Sequence, residues 1–234
     1  MKKIVQIMSI LLKNHTLRIH EVILQKIGLV ITTYNRPDYL KRTIDSLSHS
    51  FFPAGSEIYI IDDNSNAQTK QIIKSCNIGV KTIKTYNPKN KGMFYGLKTG
   101  FTYFYESGFD IISNIDSDAI VKPYWLIILN QLLKEFPESI ISGFNAHQHH
   151  FVLETFNKYY VKNSIGGINL FFNRNLCPFI LPYLTSNQWD WELSAGMRER
   201  KISLIVTKPS VIDHIGGESS LGHKGADVAK DFQK

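Results

Sequence analysis

"IGLVITTYNRPDYLKRTIDSL", residues 27–47, changes character at its middle, and that change decides the fold. The first half is a short apolar run rich in β-branched residues that ends in polar ones, the pattern of a buried strand. The second half places Leu40, Ile44 and Leu47 at helical spacing behind Pro37, which suits a first helical turn. The same alternation follows twice more. "EIYIIDDNS" (57–65) reads as a strand and "AQTKQIIKSC" (67–76) as a helix; "VKTIKTY" (80–86) reads as a strand, followed by the turn "NPKNKG" and a helix over 93–107. "FDIISNID" (109–116) is a fourth strand. Strands alternating with helices predict an α/β, Rossmann-like domain with a mainly parallel sheet flanked by helices.

The second half is less regular. A helix with a broad apolar face spans 123–137, "SIISGFN" (139–145) is a strand, and 147–164 is an aromatic-rich loop or hairpin. "IGGINLFFNRNL" (165–176) is a strand entered through two glycines, with a helix start at "NQWDWELSAGMRERK" (187–201) and a strand at "ISLIVTKPS" (202–210). "VIDHIGGESSLGHKG" (211–225) is a glycine-rich terminal segment. A chain of 234 residues suffices for one domain with a sizeable core, and 43% hydrophobic with 20% charged residues is ordinary globular composition.

The net charge of +7 is unevenly spread and partly a property of one end, where Lys2, Lys3, Lys13, Arg18 and Lys26 stand against Glu21. Residues 1–26 read as a basic amphipathic helical extension. It begins like a signal peptide, but its apolar stretch is short, interrupted by Gln6 and Ser9, and followed by no small-residue cleavage site. It either packs on the domain or holds the protein at an anionic membrane surface. Cys76 and Cys177 suit neither a disulfide framework nor a zinc site, so a reduced cytoplasmic setting is expected. No K/R-rich block, zinc finger or RNP motif points to nucleic acid. The absence of a G-x-G-x-x-G after the first strand, and of any G-x-x-x-x-G-K-[ST], argues against dinucleotide and P-loop sites.

Ligands of such sheets bind beyond the C-terminal strand ends. "TTYN", "DDNS" and "DSD" all fall there and should converge on one edge. Asp116 and Asp118 in "ISNIDSDAIV" stand two apart, so in an extended segment they face the same way and repel unless a cation lies between them.

In their order, "VITTYNRPDYLKRTIDSL", "IYIIDDNS", "NKGMFYGLKTGF" and "DIISNIDSDAIV" resemble the motifs of glycosyltransferase family 2, enzymes of the GT-A fold that transfer a sugar from a nucleotide-diphosphate sugar. The resemblance runs over residues 27–223 and leaves 224–234 as a polar tail. It implies a UDP- or dTDP-sugar donor, a glycan or lipid-linked acceptor as in bacterial polysaccharide assembly, a Mn2+ or Mg2+ ion, and inversion at the anomeric carbon. The nucleotide would meet Thr32, Tyr34 and Asp63, with Asn90 and Gly92 at the helix start. A carboxylate at Asp63 can accept the N3–H of a pyrimidine, and Tyr34 offers a ring to stack. Asp62 either joins Asp63 or caps its loop.

The family pattern places Asp116 at the ribose or metal shell and Asp118 on the metal, with His214 completing the site and His223 as its substitute. Gly166 and Gly167 would admit the donor sugar close to the backbone. In "WDWEL", Trp189 stands where the family usually has Glu, Asp190 aligns with the catalytic base, and Glu192 would turn away into the first helical turn. Residues 147–164 are expected on the acceptor side, with Phe151, Phe156, Tyr159 and Tyr160 as stacking aromatics, while His147, His149 and His150 lack companions for a metal site. Two rivals remain: a non-catalytic sugar-nucleotide or glycan-binding protein of the same fold, and a phosphatase of the haloacid dehalogenase type, whose D-x-D motif "NIDSDAIV" superficially matches.

Overall fold

The computed structural model describes residues 25–146, 150–217 and 227–232. The expected alternation is present as β1 (Ile27–Thr33), α1 (Pro37–Ser48), β2 (Glu57–Asp62), α2 (Ala67–Ser75), β3 (Lys81–Tyr86), α3 (Met93–Glu106) and β4 (Ile111–Asn114). Beyond it lie β5 (Ala119–Val121), α4 (Trp125–Glu135), β6 (Ile140–Ser142), β7 (Val152–Thr155), β8 (Tyr159–Lys162) and β9 (Phe171–Asn173). The chain continues through a short helix α5 (Cys177–Ile180), then α6 (Trp189–Glu199), β10 (Leu204–Thr207) and β11 (Ile212–His214).

The main sheet has nine strands in the order β3-β2-β1-β4-β9-β6-β10-β8-β7. The half β3-β2-β1-β4 is parallel as expected, whereas β9 and β8 run against their neighbours and make the whole sheet mixed. The reversal at β9 follows from its entry through a loop rather than a crossover helix.

Alternate residues of β1 serve opposite faces. Leu29 and Ile31 join Leu40 and Leu47 of α1 in one core, and Val30 joins Leu97, Phe101 and Phe104 of α3 in the other. α3 lies close on β1 because glycines face it: a Cβ on Gly100 would come within 2.5 Å of Val30, and one on Gly96 within 2.6 Å of Thr32. Thr32, expected at the nucleotide, therefore turns its side chain under α3. Among the described residues no helix is long and apolar enough to cross a membrane.

Outside the main sheet, β11 pairs with β5 in a two-stranded antiparallel sheet, with His214 opposite Ala119. The sequence pattern did not reveal these two short strands. Residues 227–232, expected within a polar tail, lie against the domain: Ala229 bridges Ala146, and Asp231 accepts from the Ser210 hydroxyl at 2.6 Å. Residues 1–24, the acceptor-side histidines His147 and His149, and His223 with Lys224 lie outside the described residues.

Candidate active site

The loop after β1 is built from two consecutive left-handed residues, Asn35 (φ 57°) and Arg36 (φ 56°). Neither is glycine, so each costs free energy that contacts must offset. Asn35 N donates to Ser65 Oγ at 2.8 Å, and Asn66 N donates to Asn35 Oδ1 at 2.9 Å, tying the loop to the one after β2. Tyr34 stands 45% exposed at its entrance with a ring face available for stacking.

Asp62 is buried and accepts from Ser65 N, so it caps its loop. Asp63 accepts from Asn87 Nδ2 at 2.9 Å, from Lys91 N at 2.8 and 3.0 Å, and from Gly92 N at 2.8 Å. Those contacts occupy the lone-pair directions a carboxylate has. The oxygens expected to read a pyrimidine N3–H instead hold the 87–92 loop, with Asn90 and Gly92, against the end of β2. Asn90 tightens the same loop by accepting from Gly92 N at 3.1 Å.

β4 ends at Asn114, so Asp116 and Asp118 sit in a turn, where Ala119 N donates to Asp116 O at 3.3 Å, rather than on one face of an extended strand. What brings positive charge to them is partly Arg36, whose Nη1 lies 2.5 Å from Asp118 Oδ2. His214 Nε2 stands 3.3 Å from Asp118 Oδ1, delivered by the pairing of β11 with β5. Ile215 N donates to Asp118 O at 2.8 Å, and Gly216 passes so close that a Cβ would fall 2.3 Å from Asp118 Oδ2.

These neighbours separate the two acids. Burial opposes ionisation of Asp118, but the hydrogen bond and charge of His214, with the charge of Arg36, outweigh it and hold its carboxyl below the ordinary value. Burial, and then the charge of Asp118, push Asp116 up to about 7. Burial disfavours the His214 cation, yet its bond to Asp118 and the charges of both acids raise it above the usual histidine value. Asp116 Oδ1 is buried without a hydrogen-bond partner. Two carboxylates and an imidazole are the donor types that suit Mn2+ or Mg2+, and an orphaned carboxylate oxygen fits such an ion. Among the described residues, however, no three acid or histidine groups stand ready-spaced around a metal position. Arg36 occupies the Asp118 oxygen that such an ion would take.

Asp190 opens α6. Its Oδ2 accepts from Gly167 N at 3.2 Å and its Oδ1 from Trp191 N at 3.0 Å. Burial raises its pKa, only partly offset by those N–H bonds. Trp189, the residue at odds with the family pattern, is buried, and a Cβ on Gly167 would lie 2.5 Å from its ring. Trp189 thus wedges α6 beneath the glycine pair, with Asp190 tied to Gly167 N on the same side. Glu192 is exposed, accepting from Ser186 Oγ at 3.2 Å in the first helical turn as expected. Asp116 N donates to Ile168 O at 3.0 Å, so the glycine pair lies between the two acids and Asp190.

Sequence reasoning missed Arg36, Asn114 and Asn169. Asn114 Nδ2 donates to Gly167 O at 2.8 Å and its Oδ1 accepts from Leu170 N; Asn169 Nδ2 donates to Asn114 O at 2.7 Å and its Oδ1 accepts from Gly143 N. This buried lattice fixes the glycine loop to β4 and the end of β6. Polar residues inside apolar runs, "SN" in 113–114 and Asn169 in "GGINL", were the available signal. Of the aromatics expected at the acceptor, Phe156 and Tyr159 stack on each other at 4.6 Å and Tyr160 lies under Lys208, so the far end of the hairpin is occupied with its own packing.

A family model described as "Glycosyl transferase family 2" matches residues 29–182. Among curated proteins, Protein CgeD of Bacillus subtilis (strain 168) is 38% identical over 52 residues, 21% of this chain and 11% of that one. Among solved structures, residues 1–349 of S. aureus TarS superpose with a TM-score of 0.60 at 15% identity, covering 77% of this chain and 58% of that one. GalNAc-T7 with UDP, GalNAc and Mn2+ gives 0.64 at 16%, covering 82% and 44%. The mannosyltransferase PcManGT of Pyrobaculum calidifontis with GDP-Man and Mn2+ gives 0.58 at 12%, covering 78% and 56%. The chain spans a small part of CgeD and about half of each of these structures, which share its fold.

Proposed function

Because the chain belongs to glycosyl transferase family 2, we propose that it transfers a sugar from a nucleotide-diphosphate sugar to an acceptor hydroxyl, with Asp190 as the base. The observation that carries this reading is the placement of Asp190 beside a second cluster of Asp116, Asp118, Arg36 and His214, with the glycine pair between them. A base is most effective when its pKa approaches the working pH, and burial moves Asp190 in that direction. Its two backbone N–H bonds fix the carboxylate so that it accepts the acceptor's proton as the oxygen attacks.

A divalent cation, when bound at Asp116 and Asp118, would supply positive charge for the departing diphosphate. Asp118 and His214 would hold it, while Arg36 and the orphaned Asp116 oxygen stand on the same wall. Tyr34 would stack on the base of the nucleotide. UDP or dTDP is our preferred donor nucleotide, and inversion at the anomeric carbon is taken from the family resemblance. The solved relatives support a nucleotide-sugar donor through the UDP, GDP-Man and Mn2+ that they contain. Membrane contact, if it occurs, would fall to residues 1–26. Family membership sets aside the phosphatase reading. The binding-only reading loses its motive, since Trp189 is a packing residue and the base position keeps its acid.

The test is to incubate the protein with UDP-, dTDP- and GDP-sugars and Mn2+, following nucleotide diphosphate release with and without candidate acceptors. Release that requires Asp190 and is suppressed by EDTA supports the reading. Nucleotide binding without any release would favour the binding-only protein.

A further inference from the structure

Trp191 follows the base directly, yet unlike the other two tryptophans it is exposed: Trp125 is 0%, Trp189 1% and Trp191 48% accessible. Single exposed apolar side chains are common on protein surfaces, and what sets this one apart is its place next to the proposed base. Its orientation is fixed. The indole stacks on His150 with centroids 5.0 Å apart and planes 23° from parallel, and His150 Nδ1 lies 2.8 Å from Ser164 Oγ. His150 Nε2 also stands 3.5 Å from where a Gly166 Cβ would be, so the stacked pair borders the glycine loop. The backbone N–H of Trp191 donates to Asp190 Oδ1 at 3.0 Å, so the main chain that carries the ring also holds the carboxylate.

From the placement of this pair we propose that Trp191, backed by His150, is the platform on which the acceptor lies, and that the acceptor presents a pyranose ring there. This rests on the transfer reading above. The C–H face of a pyranose packs on an indole while its hydroxyls remain at the rim for hydrogen bonding, and a flat, rigid surface costs little ordering entropy. A ring seated on Trp191 lies at the border of the glycine loop whose Gly167 N–H holds Asp190, and the acids and His214 lie beyond that loop on the donor side. A free alkyl chain would gain nothing from a single flat ring bordered by the polar His150, Ser164 and Asp190.

The exposed indole supplies its own reporter, since Trp125 and Trp189 are shielded from a collisional quencher. Methyl glucoside, methyl galactoside and methyl N-acetylglucosaminide, titrated into the wild-type protein, should protect the fluorescence from acrylamide, with at least one doing so saturably. Sorbitol, an open-chain polyol, and decanol should not. With the donor found by the release assay, Trp191→Ala should raise KM for the protecting glycoside about tenfold or more, and Trp191→Phe should restore most of it. UDP binding and thermal unfolding of both variants report whether they fold. Protection by sorbitol equal to that by the glycosides, protection by decanol alone, or no protection by any ring overturns the proposal, as does an unchanged glycoside KM in Trp191→Ala. The fluorescence arm needs no donor. Failure of every nucleotide sugar to turn over would therefore count against the transfer reading, and failure of shielding against the platform.

Discussion

Replacing Gly167 by alanine tests whether the wedge beneath the base positions it. The new methyl would lie 2.5 Å from Trp189 Cζ2 and 3.2 Å from two further ring atoms, where ordinary contact begins near 3.4 Å. Something must move by roughly 1 Å, and Trp189, at 1% exposure, has no open space to enter. Overpacking of this kind costs about 1–3 kcal/mol. For a domain of this size each kcal/mol lowers Tm by roughly 2–4 °C, so a fall of about 2–12 °C is expected by scanning fluorimetry. The displacement also reaches Asp190, which adjoins Trp189 and accepts the Gly167 N–H. A shift of about 1 Å in a catalytic group costs on the order of 100-fold in turnover, readable in the nucleotide release assay with acceptor present. Trp189→Phe removes the offending part of the ring. Combined with Gly167→Ala it should recover part of both losses, with a coupling energy of about 0.5–3 kcal/mol. A Gly167→Ala protein with unchanged Tm and turnover, or a double variant no better than the sum of its singles, would refute the wedge.

As the proposed base Asp190 must be ionised to act, and its pKa is raised by burial, so the acid limb of kcat/KM against pH should lie above the ordinary carboxylate range; Asp190→Asn should abolish that limb and lower transfer by roughly two to four orders of magnitude, while Glu192→Gln costs little. Arg36→Gln should tighten Mn2+ binding to the nucleotide-free protein in calorimetry, because it releases an oxygen of Asp118; equal affinity in both proteins would remove Arg36 as a competitor for that oxygen. Lys162 is buried at the end of β8 and its pKa is lowered by that burial to about 8. Between about pH 8 and the ordinary lysine value the unfolded chain binds more protons than the folded one, so this group makes stability rise with pH across that window. Lys162→Met should raise Tm at pH 7 and flatten that rise; a variant less stable at pH 7 would show that the lysine contributes more than its burial costs.

The parallel half of the sheet was legible because β1, β2 and β4 are continuous apolar runs and α1 and α3 carry clear helical spacing. The acids at the strand ends were visible for the same reason, since each run stops abruptly in polar residues. What could not be read was contact across long separations. Nothing near Asp118 in sequence announces Arg36, which is brought by two left-handed residues; His214, carried by a three-residue strand, was placed beside Asp118 through the family resemblance and not through local pattern. Asp63 was singled out from the acids at the end of β2, but its bonds to the 87–92 loop were not legible, because local chemistry alone does not connect the two segments. Trp189 looked like a lost carboxylate because a family position was compared without knowing which side of the helix it occupies.

β10 enters the sheet between β6 and β8, and β11 reaches β5, each joining residues made late in synthesis to partners made early. A nascent chain therefore exposes Arg36 and Asp118 while His214 and the strand that carries it do not yet exist. Such long-range pairings form slowly, after local strand and helix contacts. A translation product truncated before β10 would lack His214 altogether, and with it the imidazole that faces Asp118.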